Sequence, residues 1–273
     1  MWRLPSADCE PAPAKINLAL HVRERLADGY HALETLFAFT QFGDVLHAVP
    51  AEEWGLCLTG PLAGDAGPLE SNLVLRAARA FADATGSAQK FAFRLEKHIP
   101  VAAGLGGGSA DAGATLRLLN RMTRAGLSGE ALEAIGAKLG ADVVACVRSA
   151  TSFGFGRGEV LRPASSLAGM PVLLVNPGVA VPTGPVFQGW DGVDRGAFGG
   201  GLGEDYRQAR NDLEAPALRL QPVIGDVLAW LSMLPGVTLA RMSGSGATCF
   251  ALFDTVPDVV VPKGWWGVST TLI

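Results

Sequence analysis

The feature that most constrains this chain is its glycine-rich segment at residues 101–115, which reads VAAGLGGGSADAGAT. Four glycines, Gly104, Gly106, Gly107 and Gly108, directly precede small residues that are compatible with a helix. Glycine permits a positive φ and a close backbone approach, and a helix N-terminus adds unsatisfied N–H groups and positive dipole character. A period-2 strand pattern lies upstream, so the order strand, glycine loop, helix predicts a phosphate-binding site.

Two common nucleotide-binding motifs are excluded by the same segment. A P-loop requires Gly-Lys-Ser or Gly-Lys-Thr, which occurs nowhere in the chain. A dinucleotide fingerprint that began at Gly104 or Gly106 would need glycine where Ser109 or Asp111 stands. A flexible linker is the structural alternative, but the strand and helix patterns on either side argue against it.

Composition limits the class of protein. The chain has 273 residues, enough for one large domain or two lobes, and its net charge of −4 makes nucleic acid an unexpected partner. No apolar run approaches the roughly 20 residues needed to span a membrane, so we expect no membrane association and a cytoplasmic protein. The four cysteines form no C-x-x-C pair, which predicts free thiols.

Local patterns predict several helices and strands. The helix predicted over 128–139 has Ser128 as its N-cap and Gly140 as its C-cap. A second helical pattern over 213–234 is interrupted by Pro216 and Pro222. The other predicted elements are a helix over 72–84, strands over 14–22, 91–95, 171–177 and 249–253, and a turn at Asp28-Gly29.

Three segments together resemble the motifs of the GHMP small-molecule kinases. They are PAKINL at 13–18, AGLGGGSADA at 103–112 and SGSGAT at 243–248, and they occur in the family's order. The resemblance implies an α/β (α+β) fold of two lobes, with the active site in the cleft between them. We place the N-terminal lobe at 1–157 and the C-terminal lobe at 158–273.

Two further segments resemble one branch of that family. They are Asp28-Gly29-Tyr30-His31 and Gly140-Ala141-Asp142-Val143. The resemblance implies ATP-dependent phosphorylation of the 2-hydroxyl of a cytidine diphosphate-linked methylerythritol in the non-mevalonate isoprenoid pathway. The alternatives are another kinase of the family, acting on mevalonate, homoserine or a sugar, and a non-catalytic nucleotide-binding protein.

The family's catalytic pair corresponds to Lys15 and Asp142. A carboxylate can accept the proton of an alcohol that attacks a γ-phosphoryl group, and an ammonium can stabilise the charge that develops. Taken alone, either residue would be read as a surface group or a helix cap. Their positions within two matching motifs favour the catalytic interpretation.

The resemblance also assigns the nucleotide site, with ATP and Mg²⁺ as the expected cofactors. The hydroxyl of Ser109 is expected to contact a phosphate or the Mg²⁺ ion, with helix capping as the alternative. We interpret Asp111 as structural, an acid in the first turn that suits the helix dipole. The predicted phosphate-binding residues are Ala103, Gly104, Leu105, Gly106, Gly107, Gly108 and Ser109.

The expected substrate is a small molecule that carries a cytidine diphosphate group. Tyr30 and His31 match the family's cytidine-recognising pair, since an aromatic ring can stack on a pyrimidine and an imidazole can hydrogen-bond its edge. Phe187 resembles a second stacking aromatic, while Asn17 and Asn211 match polar positions near the substrate. A homodimer is compatible with the resemblance, and a plain β-turn is the alternative for the third motif.

Overall fold

The computed structural model describes residues 8–65, 71–198, 206–255 and 258–273. These residues form two compact units that interleave along the chain. The first unit draws its described residues from 8–14, 43–101 and 106–149. The second unit draws them from 15–42, 102–105 and 150–273.

Two long paired strands contribute to both units. They are β1 (Cys9–Arg25) and β2 (His31–Ala51). β1 contains the strand predicted over 14–22, and every residue from 12 to 22 is buried. Burial of both faces means that the polar residues of this strand must find partners inside the protein.

Among its described residues, the first unit combines the C-terminal half of β2 with two further strands and four helices. β4 (Lys90–Glu96) pairs antiparallel with that half and parallel with β3 (Gly55–Thr59). A 3₁₀ turn covers Ala63–Asp65. The helices are α1 (Leu73–Thr85), α2 (Gly107–Thr123), α3 (Gly129–Ala137) and α4 (Ala141–Arg148).

Side-chain caps account for the starts of α1 and α3. Asn72 caps α1 by accepting a hydrogen bond from Val74 N at 2.9 Å, and Ser128 caps α3 as predicted. The prediction that Gly140 ends α3 is wrong, because the helix reaches its C-cap at Lys138. Gly140 has an extended backbone and is instead the N-cap of α4.

The second unit has strands β5 (Ser152–Gly156) and β6 (Val160–Pro163), of which β5 pairs antiparallel with the N-terminal half of β2. Its other sheet has the strand order β10-β7-β9-β8. These four strands are β7 (Pro171–Asn176), β8 (Val237–Met242), β9 (Cys249–Phe253) and β10 (Trp266–Thr271). The predicted strands over 91–95, 171–177 and 249–253 are thereby confirmed as β4, β7 and β9.

The helices of the second unit are α5 (Thr183–Gln188), α6 (Glu214–Leu220) and α7 (Val223–Ser232). The predicted interruption of the helical pattern is confirmed. Pro216 is tolerated because it lies in the first turn of α6, where its missing N–H is not needed, and Pro222 is the N-cap of α7. The buried side chains of α7 join those of β9 in one apolar cluster, which forms the core of this unit.

Candidate active site

The polar side of β1 is buried rather than exposed to solvent. Lys15 and Asn17 lie on it, and both side chains are buried. Lys15 Nζ donates to Asn17 Oδ1 at 2.8 Å and lies 5.7 Å from the centroid of the Phe37 ring. A buried ammonium needs such partners because its removal from water is costly. Lys15 is therefore held in a fixed position on a rigid strand.

Asn17 is the centre of a hydrogen-bond network in the second unit. Its Nδ2 donates to Thr35 Oγ1 at 2.8 Å, and Thr35 Oγ1 donates onward to Ala19 O at 2.6 Å. Its backbone N–H donates to Ser243 Oγ at 3.2 Å, and that hydroxyl donates to Gly104 O at 2.9 Å. The network links one residue from each of the three sequence motifs.

Gly104 lets the glycine segment approach the third motif (Ser243–Thr248) closely. Its φ is +75°, and a Cβ at this position would lie 2.3 Å from Ser243 O and 2.9 Å from Gly246 O. Thr248 N–H also donates to Ala103 O at 3.1 Å, so the backbones of the two segments are in direct contact. Because both the dihedral angle and the space exclude a side chain, only glycine fits.

The start of α2 has the form expected of an anion-binding helix terminus. Gly106, with a φ of +64°, is the N-cap and offers no side chain to the first-turn N–H groups. Gly107, Gly108 and Ser109 form that turn. The alternative that Ser109 caps the helix is wrong, because Ser109 is the third helical residue. Backbone N–H groups at such a terminus are suited to phosphate oxygens.

Asp111 is structural, but not for the reason that the sequence suggested. It lies beyond the first turn of α2 and is buried. Lys97 Nζ donates to Asp111 Oδ2 at 2.8 Å and to Asp44 Oδ2 at 2.5 Å. Asp44 Oδ1 also accepts the backbone N–H groups of His98 and Ile99. The helix-dipole interpretation is wrong, and a buried ion cluster replaces it.

Burial raises the pKa of Asp111 to about 8. The positive charge of Lys97 opposes this rise, while the negative charge of Asp44 adds to it. One ammonium thus serves two buried carboxylates, which favours retention of a proton on one of them.

Asp142 lies in the first turn of α4 and is half-buried. α4 packs closely on α2 at Gly113, where a Cβ would lie 2.7 Å from the carbonyl carbon and oxygen of Cys146. Arg117 of α2 donates to Cys146 O at 2.6 Å and to Glu10 Oε1 at 2.7 Å. These contacts fix the helix that carries Asp142 within the first unit.

Tyr30 and His31 follow the predicted turn at Asp28-Gly29, which is confirmed. Gly29 has a φ of +86°, and Leu26 N–H donates to Tyr30 O at 2.7 Å. The Tyr30 side chain is 59% exposed, whereas His31 is buried. The turn thus presents one ring to solvent and turns the next one inward.

His31 lies among aromatic rings from another part of the second unit. Its ring centroid is 5.1 Å from that of Phe187 and 5.7 Å from that of Trp190, the latter in an edge-to-face arrangement. His31 Nε2 and Trp190 Nε1 are buried without a hydrogen-bond partner among the described residues. Burial lowers the pKa of His31, and the positive charge of Arg25 lowers it further. A neutral imidazole with an unsatisfied nitrogen is suited to recognise a polar ligand edge.

Asn211 supports the third motif directly. Its Nδ2 donates to Met242 O and Gly244 O, both at 2.8 Å, and its Oδ1 accepts from Leu213 N–H at 3.0 Å. Both amide hydrogens are therefore used in holding the loop that contains Gly244. Ser243, Gly244 and Ser245 are buried, unlike the residues of an ordinary surface turn.

Several residues of this arrangement were not found from the sequence. Thr35 belongs to none of the predicted elements, and its contact with Asn17 joins two separate strands. Trp190 follows Phe187 by three positions, a spacing that could have placed both rings on one side of a helical turn. Lys97 and Asp44 are 53 positions apart, and no local signal joins them.

No helix in the described ranges is long and apolar enough to cross a membrane. Among those same residues, no group of three or more His, Cys, Asp or Glu side chains could hold a metal ion.

Two curated relatives match almost the whole chain. The 4-diphosphocytidyl-2-C-methyl-D-erythritol kinase of Rhizorhabdus wittichii is 54% identical, over 94% of this chain and 89% of its own length. The enzyme of the same name from Novosphingobium aromaticivorans is 52% identical, over 96% of this chain and 92% of its own length. These identities extend well beyond the motifs.

The fold and the family follow from two further matches. A crystal structure of 4-(cytidine 5′-diphospho)-2C-methyl-D-erythritol kinase superposes with a TM-score of 0.76 and 33% identity, over 97% of this chain and 98% of that one. This match confirms the predicted α/β (α+β) class. Residues 72–150 match the GHMP kinases N terminal domain and residues 194–260 the GHMP kinases C terminal domain. The chain therefore belongs to the GHMP kinase family.

Proposed function

We propose that this chain transfers the γ-phosphoryl group of ATP to the 2-hydroxyl of 4-(cytidine 5′-diphospho)-2-C-methyl-D-erythritol, in the non-mevalonate isoprenoid pathway. Relatives of that name match the chain at 54% and 52% identity. The observation that carries the proposal is the buried His31 Nε2, which has no partner among the described residues and lies beside aromatic rings. A pyrimidine edge would satisfy this nitrogen.

Lys15 and Asp142 supply the chemistry in this proposal. Asp142 accepts the proton of the attacking hydroxyl as the new oxygen–phosphorus bond forms and ADP leaves. Lys15 stabilises the negative charge on the transferred phosphoryl group. The Lys15–Asn17 hydrogen bond supports this role because it fixes the ammonium before substrate binds.

The glycine segment binds ATP. In this proposal the N–H groups at the start of α2 contact phosphate oxygens, and the positive end of the helix dipole adds to the attraction. Ala103, Gly104 and Leu105 bring the backbone into place, while Gly106, Gly107 and Gly108 leave room for the phosphates. The Ser109 hydroxyl contacts a phosphate or the Mg²⁺ ion that accompanies the nucleotide.

The cytidine group is recognised by Tyr30, His31 and Phe187. Tyr30 offers an exposed ring for stacking, and His31 offers a hydrogen-bonding nitrogen. Asn17 and Asn211 act near the substrate chiefly by holding Lys15 and the third motif, as their hydrogen bonds indicate.

We also infer that the enzyme acts in the cytoplasm. All four cysteines, Cys9, Cys57, Cys146 and Cys249, are free. Free thiols throughout a chain are typical of a reducing compartment.

A coupled assay of ADP release tests the function. The purified chain is given MgATP with the cytidine diphosphate substrate or, separately, with mevalonate, homoserine or galactose. Of these four acceptors, we expect turnover only with the cytidine compound. Preferential turnover of one of the others would assign the chain to another branch of the family.

A binding experiment addresses the non-catalytic alternative. Thermal melting with MgATP, CDP and CMP should show stabilisation by each ligand, because a ligand that binds only the folded state raises its apparent stability. Stabilisation without turnover of any acceptor would mean that the chain binds nucleotides without acting as a kinase.

A further inference from the structure

Arg157 lies over the ring of Tyr30, although no sequence motif includes it. The guanidinium carbon is 4.2 Å from the ring centroid. Arg157 is in the turn between β5 and β6, where Gly156 and Gly158 have φ values of +71° and +111°. Its backbone N–H donates to Glu159 Oε2 at 2.6 Å, which helps to define the turn.

Asp28 connects this turn with the turn that carries Tyr30. Arg157 Nη2 donates to Asp28 Oδ2, and Tyr30 N–H donates to Asp28 Oδ1 at 3.0 Å. One carboxylate thus fixes the backbone of Tyr30 and holds the guanidinium that covers its ring. All three residues belong to the second unit.

The arrangement restricts an otherwise exposed side chain. Tyr30 is 59% exposed, so few apolar contacts hold its ring. A guanidinium is planar and stacks flat on an aromatic face, whereas an ammonium can contact such a face only as a compact charge. Because Arg157 covers one face of the ring, a base that stacks on Tyr30 would use the opposite face.

We propose that Arg157 is a positioning residue for base recognition, which orders the Tyr30 ring for stacking through the Asp28–Arg157–Tyr30 contacts. The inference rests on the proposed function, in which Tyr30 stacks on cytosine. Ordering the ring before binding reduces the conformational entropy that is lost when the base stacks. The effect therefore appears in substrate affinity and not in the phosphoryl-transfer step.

Steady-state kinetics of variants at this position test the inference. We expect Arg157→Ala to raise KM for the cytidine diphosphate substrate about three- to tenfold, with kcat and the KM for ATP within about twofold of the parent. Arg157→Lys keeps the charge but lacks the planar face, so its KM should lie between those of the parent and Arg157→Ala.

Arg162 provides a matched control in the same hairpin. Its guanidinium carbon lies 4.9 Å from the centroid of the Phe155 ring, a contact of the same kind at a ring outside the proposed base site. Arg162→Ala should leave KM unchanged. An equal rise in KM for both variants would mean that loss of any arginine from this hairpin perturbs it, which would overturn the inference.

A double-mutant cycle separates positioning of Tyr30 from direct contact with substrate. In a Tyr30→Ala background, Arg157→Ala should cause no further rise in KM, because the ring on which it acts is gone. The same rise with and without the ring would overturn the inference. Asp28→Asn offers a second route if Arg157→Ala does not fold: it weakens the ion pair and should raise KM in the same direction.

Turnover by the parent enzyme separates a failure of the proposed function from a failure of the positioning role of Arg157. If the parent does not turn over the cytidine compound, the proposed function fails. If the parent turns it over and Arg157→Ala has the same KM, only the positioning role fails.

Discussion

The ammonium of Lys15 and the amide oxygen of Asn17 are 2.8 Å apart within a buried segment of β1. The two residues lie on the same side of the strand because side chains alternate with a period of two. The amide thereby orients the group that we propose stabilises the transferred phosphoryl charge. This relationship explains how these two polar residues are accommodated in a buried strand.

The first prediction concerns this pair. Lys15→Ala should lower kcat by about 10²–10⁴ because it removes a fixed positive charge from the reaction. Asn17→Ala should have a smaller effect on kcat, since it loosens the ammonium without removing it. Both are measured by coupled ADP release. Lys138→Ala, a substitution on the surface, is the control, and a Lys15→Ala enzyme with parental turnover would remove Lys15 from the mechanism.

The second prediction concerns Asp142, the proposed general base. Asp142→Asn preserves size and removes the proton acceptor, so kcat should fall by about 10²–10⁴ with little change in either KM. Asp83→Asn is the matched control, because it changes an exposed carboxylate of α1. Undiminished single-turnover phosphorylation by the Asp142→Asn enzyme would contradict the assignment.

The third prediction concerns Gly104, for which Gly86 is a matched control. Both have a left-handed backbone, with φ values of +75° and +67°, but no atom lies within 4 Å of a Cβ added at Gly86. Gly86→Ala should therefore lose only about 1–2 kcal/mol of stability, from backbone strain. Gly104→Ala should lose more stability, and its affinity for ATP should drop at least tenfold, because Ser243 must move.

Thermal melting and equilibrium ATP binding measure these effects. Equal destabilisation of the two alanine variants, with ATP affinity retained in both, would show that the close approach at Gly104 does not matter.

The fourth prediction concerns base selectivity. Tyr30→Ala should raise KM for the cytidine substrate about tenfold to a hundredfold, since base stacking contributes about 1–3 kcal/mol. The matched uridine compound should be a poor substrate for the parent. In His31→Ala this preference should shrink, because the nitrogen that reads the base edge is absent.

Competition between the two substrates in one assay gives the ratio of their kcat/KM values directly. His47→Ala is the control, since His47 is a half-exposed histidine in the first unit. A parent enzyme that treats cytidine and uridine compounds alike would refute base recognition by His31.

The fifth prediction concerns pH and Asp111. Burial raises the pKa of this carboxyl to about 8, whereas an unfolded aspartate titrates near about 4. Between these values the folded chain binds more protons than the unfolded chain, so this group makes the free energy of unfolding fall as pH rises. Asp111→Asn should remove that component, which has a maximum slope of about 1.4 kcal/mol per pH unit.

Urea unfolding of the parent and of Asp111→Asn across pH 5 to 8 tests the sign. The stability of the variant relative to the parent should increase steadily with pH. Asp226→Asn, at an exposed position of α7, controls for the loss of a carboxylate. A difference between Asp111→Asn and parent that does not change with pH would contradict the prediction.

Much of the local structure could be predicted because its causes are local. Asn72 and Ser128 each accept a hydrogen bond from a backbone N–H two or three residues away, so the starts of α1 and α3 can be read from the sequence. The run of glycines likewise indicates that this segment can adopt positive φ values. Gly140 was assigned to the wrong helix because the sequence alone did not show whether it ends one helix or begins the next.

The family and most of the candidate site residues could also be predicted from the sequence, since five segments that resemble the family carry them. Lys15 and the Tyr30-His31 pair were predicted in this way. Thr35 and Trp190 were not, because they reach Asn17 and His31 only through pairing and packing between distant segments. Phe187 was expected to act near the base, but its contact with the His31 ring is visible only in the structure.

The sequence by itself determined the helices and strands with strong local signals and the resemblance to the family, and it predicted phosphate binding by residues 103–109. Only the tertiary structure decided that the polar side of β1 is buried, that Asp111 shares Lys97 with Asp44, and that Arg157 covers Tyr30. The physical reason is that capping and periodicity act over a few residues. Burial, ion pairing and ring contacts depend instead on which distant segments pack together.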